Sequence, residues 1–302
     1  MLSEEAKVTR ALRTQKNLLA RAVRMVARAF RQGGRLFYFG AGTSGRLGVL
    51  DASECPPTFR TAPEMVQGVI AGGDVALRRA VEGAEDDAAA GVREIKARHI
   101  TTRDVVVGIA ASGTTPFVWG ALAEAKRRRA TTMLVCFNPH LLIPKAQRPD
   151  LVIAPDLGPE VLTGSTRLKA GTATKLVLNL LTTLAMVRIG KVESNLMVDV
   201  RPSNAKLRIR AVRIVQHELK HYFNNNIVLF LSGMRNYDMA VALSDYTPNL
   251  TFADALAQTG APTLLTSLQQ LELYAKGSEV ALKGKAGEML ESALAGFKNN
   301  RL

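Results

Sequence analysis

At 302 residues the chain is long enough for one large domain or two smaller ones. Its composition, with 47% apolar and 22% charged residues, is typical of a soluble globular protein. No apolar run reaches transmembrane length, the N-terminal segment lacks a signal-peptide core, and the two cysteines, Cys55 and Cys136, form neither a disulfide framework nor a metal-ligand pattern. The formal net charge of +14 comes from scattered Lys and Arg without a DNA-reading motif, which favours solvated helix faces over a nucleic-acid or membrane partner. We therefore expect a cytoplasmic protein.

The first elements in chain order are a helix, a strand and a glycine-rich turn. Apolar residues at three and four spacing predict an amphipathic helix over residues 4–31 that ends at Gly33 and Gly34. A short buried strand follows over residues 36–39, and a helix is expected from about Gly45 until Pro56 and Pro57 stop it. The further predicted strands cover residues 65–70, 104–110, 132–137 and 151–154. Four further helices are predicted: one begins at about Asp74, one ends at Arg98, one ends at about Arg128, and one covers residues 168–189.

Strands that alternate with helices predict an α/β fold in which a parallel sheet is flanked by helices on both faces. The clear strands stop by about residue 155, and most of the chain beyond it has helical patterns. We divide the chain into an N-terminal helical segment (residues 1–20), a sheet-containing domain (residues 21–195) and a helical C-terminal region (residues 196–302).

The turn after the first strand has the composition of a phosphate-binding loop. Residues 40–46 (GAGTSGR) join a buried strand to a helix start, where unpaired backbone N–H groups and the helix dipole attract an anion. Thr43 and Ser44 add hydroxyl donors, and Gly45 stands where the helix is expected to begin.

Two further loops repeat this design. Residues 112–115 (SGTT) follow a buried strand and precede a helix, and residues 163–166 (TGST) lead into the long apolar helix. The carboxyl ends of parallel strands are where such folds bind ligands, so these loops predict a shared sugar-phosphate site. Its predicted binding residues are Thr43, Ser44, Gly45, Ser112, Gly113, Thr115 and Ser165, with Arg167 and Lys169 as sources of positive charge.

Three other kinds of site are disfavoured. Residues 40–45 match the G-x-G-x-x-G dinucleotide fingerprint, but no acidic residue ends the second strand to hold a ribose. His217 and His221 match the H-E-x-x-H zinc pattern, but the segment is cationic and a third ligand is missing. Neither Ser44 nor Ser112 has a partnered base, which argues against a serine hydrolase. We therefore predict no cofactor and no metal.

Acidic residues near a sugar phosphate would suit proton transfer. Glu54 lies at the end of the first loop's helix, roughly 13 Å along the axis from its expected start, so a partner subunit is a candidate to supply it. Glu82 and Glu85 precede a later helix, where Glu is often only a partner of the helix dipole.

Several long motifs occur in an order that resembles the N-acetylmuramic acid 6-phosphate etherases, a family with the sugar isomerase (SIS) fold that is similar to the glucokinase regulatory protein. The resemblance covers about residues 30–215. The matching segments are residues 40–48 (GAGTSGRLG), 51–58 (DASECPPT), 80–86 (AVEGAED), 108–113 (GIAASG), 163–172 (TGSTRLKAGT) and 195–200 (NLMVDV). Thr114 departs from the pattern, because an arginine is common there.

The resemblance implies a SIS-type sandwich and a lyase that cleaves the D-lactyl ether of N-acetylmuramic acid 6-phosphate, giving N-acetylglucosamine 6-phosphate and D-lactate without a metal. Glu54 matches the proton donor and Glu85 the other catalytic carboxylate, which we assign as the base. The resemblance also implies a homodimer. The alternative is a non-catalytic sugar-phosphate sensor that binds a sugar kinase, and retention of both carboxylates favours the enzyme.

Overall fold

Five parallel strands form the centre of the fold. The structure, a computed structural model, describes residues 1–192 and 195–197, and residues Met1–Gly190 make up one unit. The strands are β1 (Leu36–Gly40), β2 (Val66–Ile70), β3 (Val105–Ile109), β4 (Thr131–Val135) and β5 (Leu151–Ile153). They are rich in Val, Ile, Leu and Phe because a parallel sheet is covered on both faces.

The sheet has the strand order β2-β1-β3-β4-β5. Leu36 of β1 lies opposite Val66 of β2 and Val105 of β3, so the three strands end at the same level. Every residue of β1 and β3 is buried. The predicted α/β fold with a parallel sheet is therefore confirmed.

Helices cover the sheet on both faces. One face carries a cluster of buried side chains from β1, β3, α5 and α6, with Phe39 and Phe117 in ring contact. Helix α3 lies on the other face, where an ideal Cβ built on Gly48 would be 2.9 Å from Tyr38 Cβ. There α3 and α2 pack against α7. The helices are α1 (Leu2–Thr14), α2 (Lys16–Arg31), α3 (Gly42–Phe59), α4 (Val75–Arg78), α5 (Ala88–Ala97), α6 (Pro116–Arg127) and α7 (Lys169–Arg188), with one 3-10 turn at Ala84–Asp86.

Two of the predicted helices differ from those in the structure. The helix predicted over residues 4–31 is two helices, α1 and α2, that meet at Gln15. Helix α3 starts at Gly42 and continues through Pro56 and Pro57, which each cost the helix one backbone hydrogen bond. The burial of Cys55 and Phe59 offsets that cost, and the helix ends at Arg60 in the left-handed conformation.

Helix α7 is long and apolar enough to span a membrane by length and composition, alone among the helices of residues 1–192. In this fold it packs against α1, α2 and α3, and Val177, Leu178 and Leu181 are fully buried. Core helices of globular proteins have the same length and composition. Its composition therefore follows from its place in the core.

Candidate functional site

The candidate site lies at the carboxyl edge of the sheet, where the strand order reverses between β1 and β3. Gly40 at the end of β1 is opposite Ile109 at the end of β3, so the loops that follow the two strands begin side by side. Ligands of open α/β sheets bind at this kind of switch point. The loops at residues 41–45 and 110–115 are thus brought together as the sequence predicted.

The β1 loop is held tightly against the start of α3. Gly42 adopts a φ of 51°, and an ideal Cβ on Gly45 would lie 2.7 Å from the Gly40 carbonyl oxygen and 2.5 Å from Ile70 Cγ1. Only glycine fits at Gly45, which is buried. Thr43 and Ser44 are half-buried, and among the residues that the structure describes no side chain accepts from the first N–H groups of α3, whose N-cap residue is Ala41. Those N–H groups remain available to an anion.

The β3 loop has a similar form. Gly113 is buried with a φ of 82°, and its carbonyl accepts a 2.7 Å hydrogen bond from Trp119 Nε1. The hydroxyls of Ser112 and Thr114 lie 2.8 Å apart, so Thr114 is a hydrogen-bond partner of a predicted binding residue. Thr115 precedes Pro116, the first residue of α6, and forms no side-chain cap. The start of α6 is therefore a second uncapped helix N-terminus.

The third predicted loop leads into α7 and lies next to the first. An ideal Cβ on Gly171 would be 3.6 Å from Thr43 Cγ2, so the first turn of α7 is in contact distance of the β1 loop. Ser165 is half-buried and Arg167 is exposed. Proximity of Thr43 to α7 brings the third loop to the same edge as the other two.

Lys169 lies in the interior rather than on the surface of this loop. Its side chain is 1% exposed, and Nζ donates to Glu4 Oε2 at 2.8 Å and to the Leu157 carbonyl at 2.9 Å. The Lys169 ammonium holds the pKa of Glu4 down to about 2, with help from Lys7. Because Glu4 is far away in the chain, no local pattern in the sequence indicated this ion pair.

The two predicted catalytic carboxylates are both exposed. Glu54 lies on α3 about 18 Å along the axis from Gly42, further than predicted because the helix starts earlier. Glu85 lies in the 3-10 turn that follows β2 and α4, and its neighbour Ala84 packs against the core beside α6. Near the start of α3, the Arg46 guanidinium donates to the carbonyls of Leu77 in α4 and of Arg79 just after it.

Beneath Glu54, Asp51 is buried between α3, β1 and α7. The Tyr38 hydroxyl donates to Asp51 Oδ2 at 3.0 Å, and the Thr182 hydroxyl lies 3.3 Å from Oδ1. Burial raises the pKa of Asp51, and burial raises the pKa of Cys55 to about 12. Cys55 is therefore a neutral thiol at physiological pH and unsuited to nucleophilic attack.

Among residues 1–192 and 195–197, no three His, Cys, Asp or Glu side chains are grouped so that they could hold a metal ion. His217 and His221, the zinc candidates of the sequence, lie outside the described residues. The predicted helical C-terminal region likewise falls almost entirely outside them.

A parallel sheet with hydroxyl-rich loops at its carboxyl edge is the architecture of a SIS domain, and residues 18–126 match the model of the glucokinase regulatory protein N-terminal SIS domain. Relatives extend this match along the chain. The N-acetylmuramic acid 6-phosphate etherase of Gloeobacter violaceus is 61% identical over 212 residues, which cover 70% of this chain and 69% of the relative. The etherase of Clostridium acetobutylicum is 54% identical over 218 residues, 72% of each chain. The chain belongs to the N-acetylmuramic acid 6-phosphate etherase family, an enzyme family, and the resemblance predicted from the motifs is confirmed.

Two other kinds of match accompany these. Residues 204–299 match a domain of unknown function, DUF8754. Among solved structures, the phosphoheptose isomerase GmhA of Neisseria gonorrhoeae is 15% identical, covers 62% of this chain and 94% of that chain, and has a TM-score of 0.44. A phosphoheptose isomerase from Francisella tularensis is 16% identical, covers 59% and 92%, and has a TM-score of 0.41.

Proposed function

We propose that this protein is a lyase that cleaves the D-lactyl ether of N-acetylmuramic acid 6-phosphate to give N-acetylglucosamine 6-phosphate and D-lactate. The observation that carries the proposal is the identity of 53–61% to relatives that bear the etherase name, over about 70% of this chain. None of these relatives supports the alternative of a sensor that binds a sugar kinase.

In this proposal the phosphate group binds between the β1 and β3 loops. The uncapped N-terminus of α3 offers backbone N–H groups, and Thr43 and Ser44 add hydroxyl donors. In this proposal Ser112 and Thr115 add hydroxyls from the β3 loop and Ser165 adds one from the α7 loop, where the exposed Arg167 supplies positive charge. Gly45 and Gly113 support the two tight turns, and Lys169 contributes by fixing the start of α7.

The reaction needs one base and one acid. In the open-chain sugar, the C1 aldehyde acidifies the C2 hydrogen, and Glu85 removes it as a proton. The electron pair forms a C2–C3 double bond and the C3–O bond to lactate breaks, while Glu54 gives its proton to the leaving oxygen. Water then adds to C3 and C2 regains a proton, which completes the product without a metal or cofactor.

A homodimer in the cytoplasm is the assembly we propose. Glu54 lies about 18 Å along α3 from the helix end that would hold the phosphate, which is too far for the two to serve one hexose. A second copy of the chain supplies Glu54 to its neighbour's site in this arrangement. The partners are thus the sugar phosphate and a second subunit.

Incubation of the protein with N-acetylmuramic acid 6-phosphate and an assay for D-lactate tests the function. We expect Glu54→Gln and Glu85→Gln each to lower the rate by about 10²–10⁴-fold, the usual contribution of a positioned acid or base. Glu82→Gln is the matched control, since Glu82 is an exposed glutamate of the same segment as Glu85, and we expect it to keep the wild-type rate. Sugar-phosphate binding by the wild type without lactate release would favour the sensor instead.

A further inference from the structure

The Glu160 side chain is hydrogen-bonded across the ends of the loop that carries Ser165, residues 161–168. Its Oε2 accepts a 3.1 Å hydrogen bond from the backbone N–H of Lys169, and its Oε1 accepts a 2.9 Å bond from the N–H of Ala170. These are the first two residues of α7. The loop over residues 161–168 is therefore closed at its base by one carboxylate.

The start of α7 is also held from the other side. The backbone N–H of Lys169 donates to Glu160. Its side-chain ammonium is buried and donates to the Glu4 carboxylate and to the Leu157 carbonyl. Between Glu160 and Lys169 most of the loop is exposed, including Thr163, Thr166 and Arg167. Within the loop the Ser165 N–H donates to the Leu162 carbonyl, and the two anchors hold the end of the loop that enters α7.

The anchors set the distance between the α7 loop and the β1 loop. Gly171, one residue past Ala170, is the point where α7 approaches Thr43. A shift in the first turn of α7 would therefore move Ser165 and Arg167 relative to Thr43 and Ser44.

Glu160 also decides which helix ends are free to bind an anion. A carboxylate on the first N–H groups of a helix neutralises the positive end of its dipole. At this edge of the sheet the first N–H groups of α7 donate to Glu160, whereas within the part of the chain that the structure describes the N-cap residues of α3 and α6 form no side-chain cap. The starts of α3 and α6 are therefore the helix ends left to an incoming phosphate.

We propose that Glu160 is a positioning residue that holds the Ser165 loop over the sugar phosphate and keeps the phosphate off the α7 N-terminus. This inference rests on the proposed function. Glu54 and Glu85 are on other elements, so loss of Glu160 weakens substrate binding in the ground state and the transition state alike. Such a change raises KM and leaves kcat close to wild type.

The test compares Glu160→Ala and Glu160→Gln with the wild type in the D-lactate assay. We expect Glu160→Ala to raise KM by about tenfold or more, the effect of losing hydrogen bonds to a charged group. Glu160→Gln keeps one acceptor oxygen and should give a smaller rise; it also serves if Glu160→Ala does not fold. Asp150→Asn is the matched control, because the Asp150 carboxylate accepts from the N–H and hydroxyl of Thr132 at the opposite, amino edge of the sheet.

Calorimetric binding of N-acetylglucosamine 6-phosphate to the same variants separates this inference from the proposed function. A wild type that releases no lactate overturns the function, and the binding data alone then decide the role of Glu160. Weaker binding in Glu160→Ala than in Asp150→Asn supports the role. Unchanged KM and binding in both Glu160 variants, or an equal loss in Asp150→Asn, overturns it.

Discussion

Asp51 is the residue at which three elements meet below the candidate site. It is 5% exposed on α3 and is hydrogen-bonded to Tyr38 of β1, with Thr182 of α7 within reach. A carboxyl group in such a place requires its partners, because a buried polar group without them costs the full desolvation penalty. Glu54 lies one turn further along the same helix, so the Asp51 contacts also fix the helix that presents the proposed acid.

Tyr38→Phe tests this contact without changing the shape of the core. We expect the free energy of unfolding to fall by about 1–3 kcal/mol, because Asp51 loses its hydroxyl donor in a buried site. Chemical denaturation at neutral pH measures the loss. The same substitution in an Asp51→Ala background is the control, since Asp51→Ala removes the acceptor and the two changes are coupled only if the hydrogen bond stabilises the fold. Equal losses in both backgrounds would contradict the role of the bond.

At the scale of elements, Glu124 fixes the last turn of α6. Its buried carboxylate pairs with Arg127 and Arg128, and Arg128 also donates to the Ile100 carbonyl at the end of the α5 segment. The Arg127 guanidinium, followed by that of Arg128, lowers the pKa of Glu124 from 4.5 to about 2. Helix α6 is thus tied to the segment that precedes β3.

This pairing predicts a pH-dependent contribution to stability. The folded pKa of Glu124 is depressed, so its contribution is fully present above the unfolded pKa of 4.5 and is lost as the pH falls toward 2. We expect the difference in free energy of unfolding between wild type and Glu124→Gln to be constant from pH 7 to about 5 and to shrink below that. Denaturant titrations at a series of pH values measure it. A difference that stays constant down to pH 2 would rule out the ion pairs as its source.

The strands were predictable to within one or two residues because their signal is local. Runs such as residues 105–109 (VVVGI) are apolar on both faces, as a central parallel strand requires. The break between α1 and α2 at Gln15 has no such local signal. Pro56 and Pro57 predict the end of a helix, but α3 continues through them because the burial of Cys55 and Phe59 outweighs the lost hydrogen bonds. Local rules also place the start of α3 too late by three residues.

The candidate site was predictable in part for the same reason. The loops of Thr43 and Ser112 follow adjacent parallel strands, so strand order alone brings them together. The roles of Glu160 and Glu4 were missed because both residues act on α7 from outside it, and Glu4 is 165 positions away from Lys169. A cap supplied by a tertiary contact leaves no periodic pattern to find.

At the scale of the whole molecule, large apolar side chains are exposed on α3 and α7, the helices that meet at Asp51. Leu50 lies one turn before Glu54 on α3 and is 43% exposed, and Leu184 and Val187 of α7 are each 41% exposed. Asp51 and Thr182 join the two helices near these residues. Contiguous patches of exposed apolar side chains mark protein–protein contacts, and these three side chains lie on two helices that pack together. They fit the proposed dimer in which Glu54 enters the partner's site.

A mixing experiment distinguishes a shared site from one built within a single chain. Glu54→Gln and Glu85→Gln subunits are unfolded together, refolded as a mixture and assayed for D-lactate. In a shared site, one of the two sites in a mixed dimer contains both substitutions and the other contains none. Half of the dimers are mixed at equal amounts, so we expect about a quarter of wild-type activity to return.

The separately refolded variants are the controls, and each should stay inactive because every site lacks one carboxylate. A site contained in one chain also leaves every site of the mixed dimer lacking Glu54 or Glu85, and no activity returns on mixing. Sedimentation or light scattering on the wild type gives the subunit number independently. An inactive mixture of proven mixed dimers would therefore place both carboxylates in one chain, and α3 would then have to bring Glu54 to its own phosphate loop by a change in the fold.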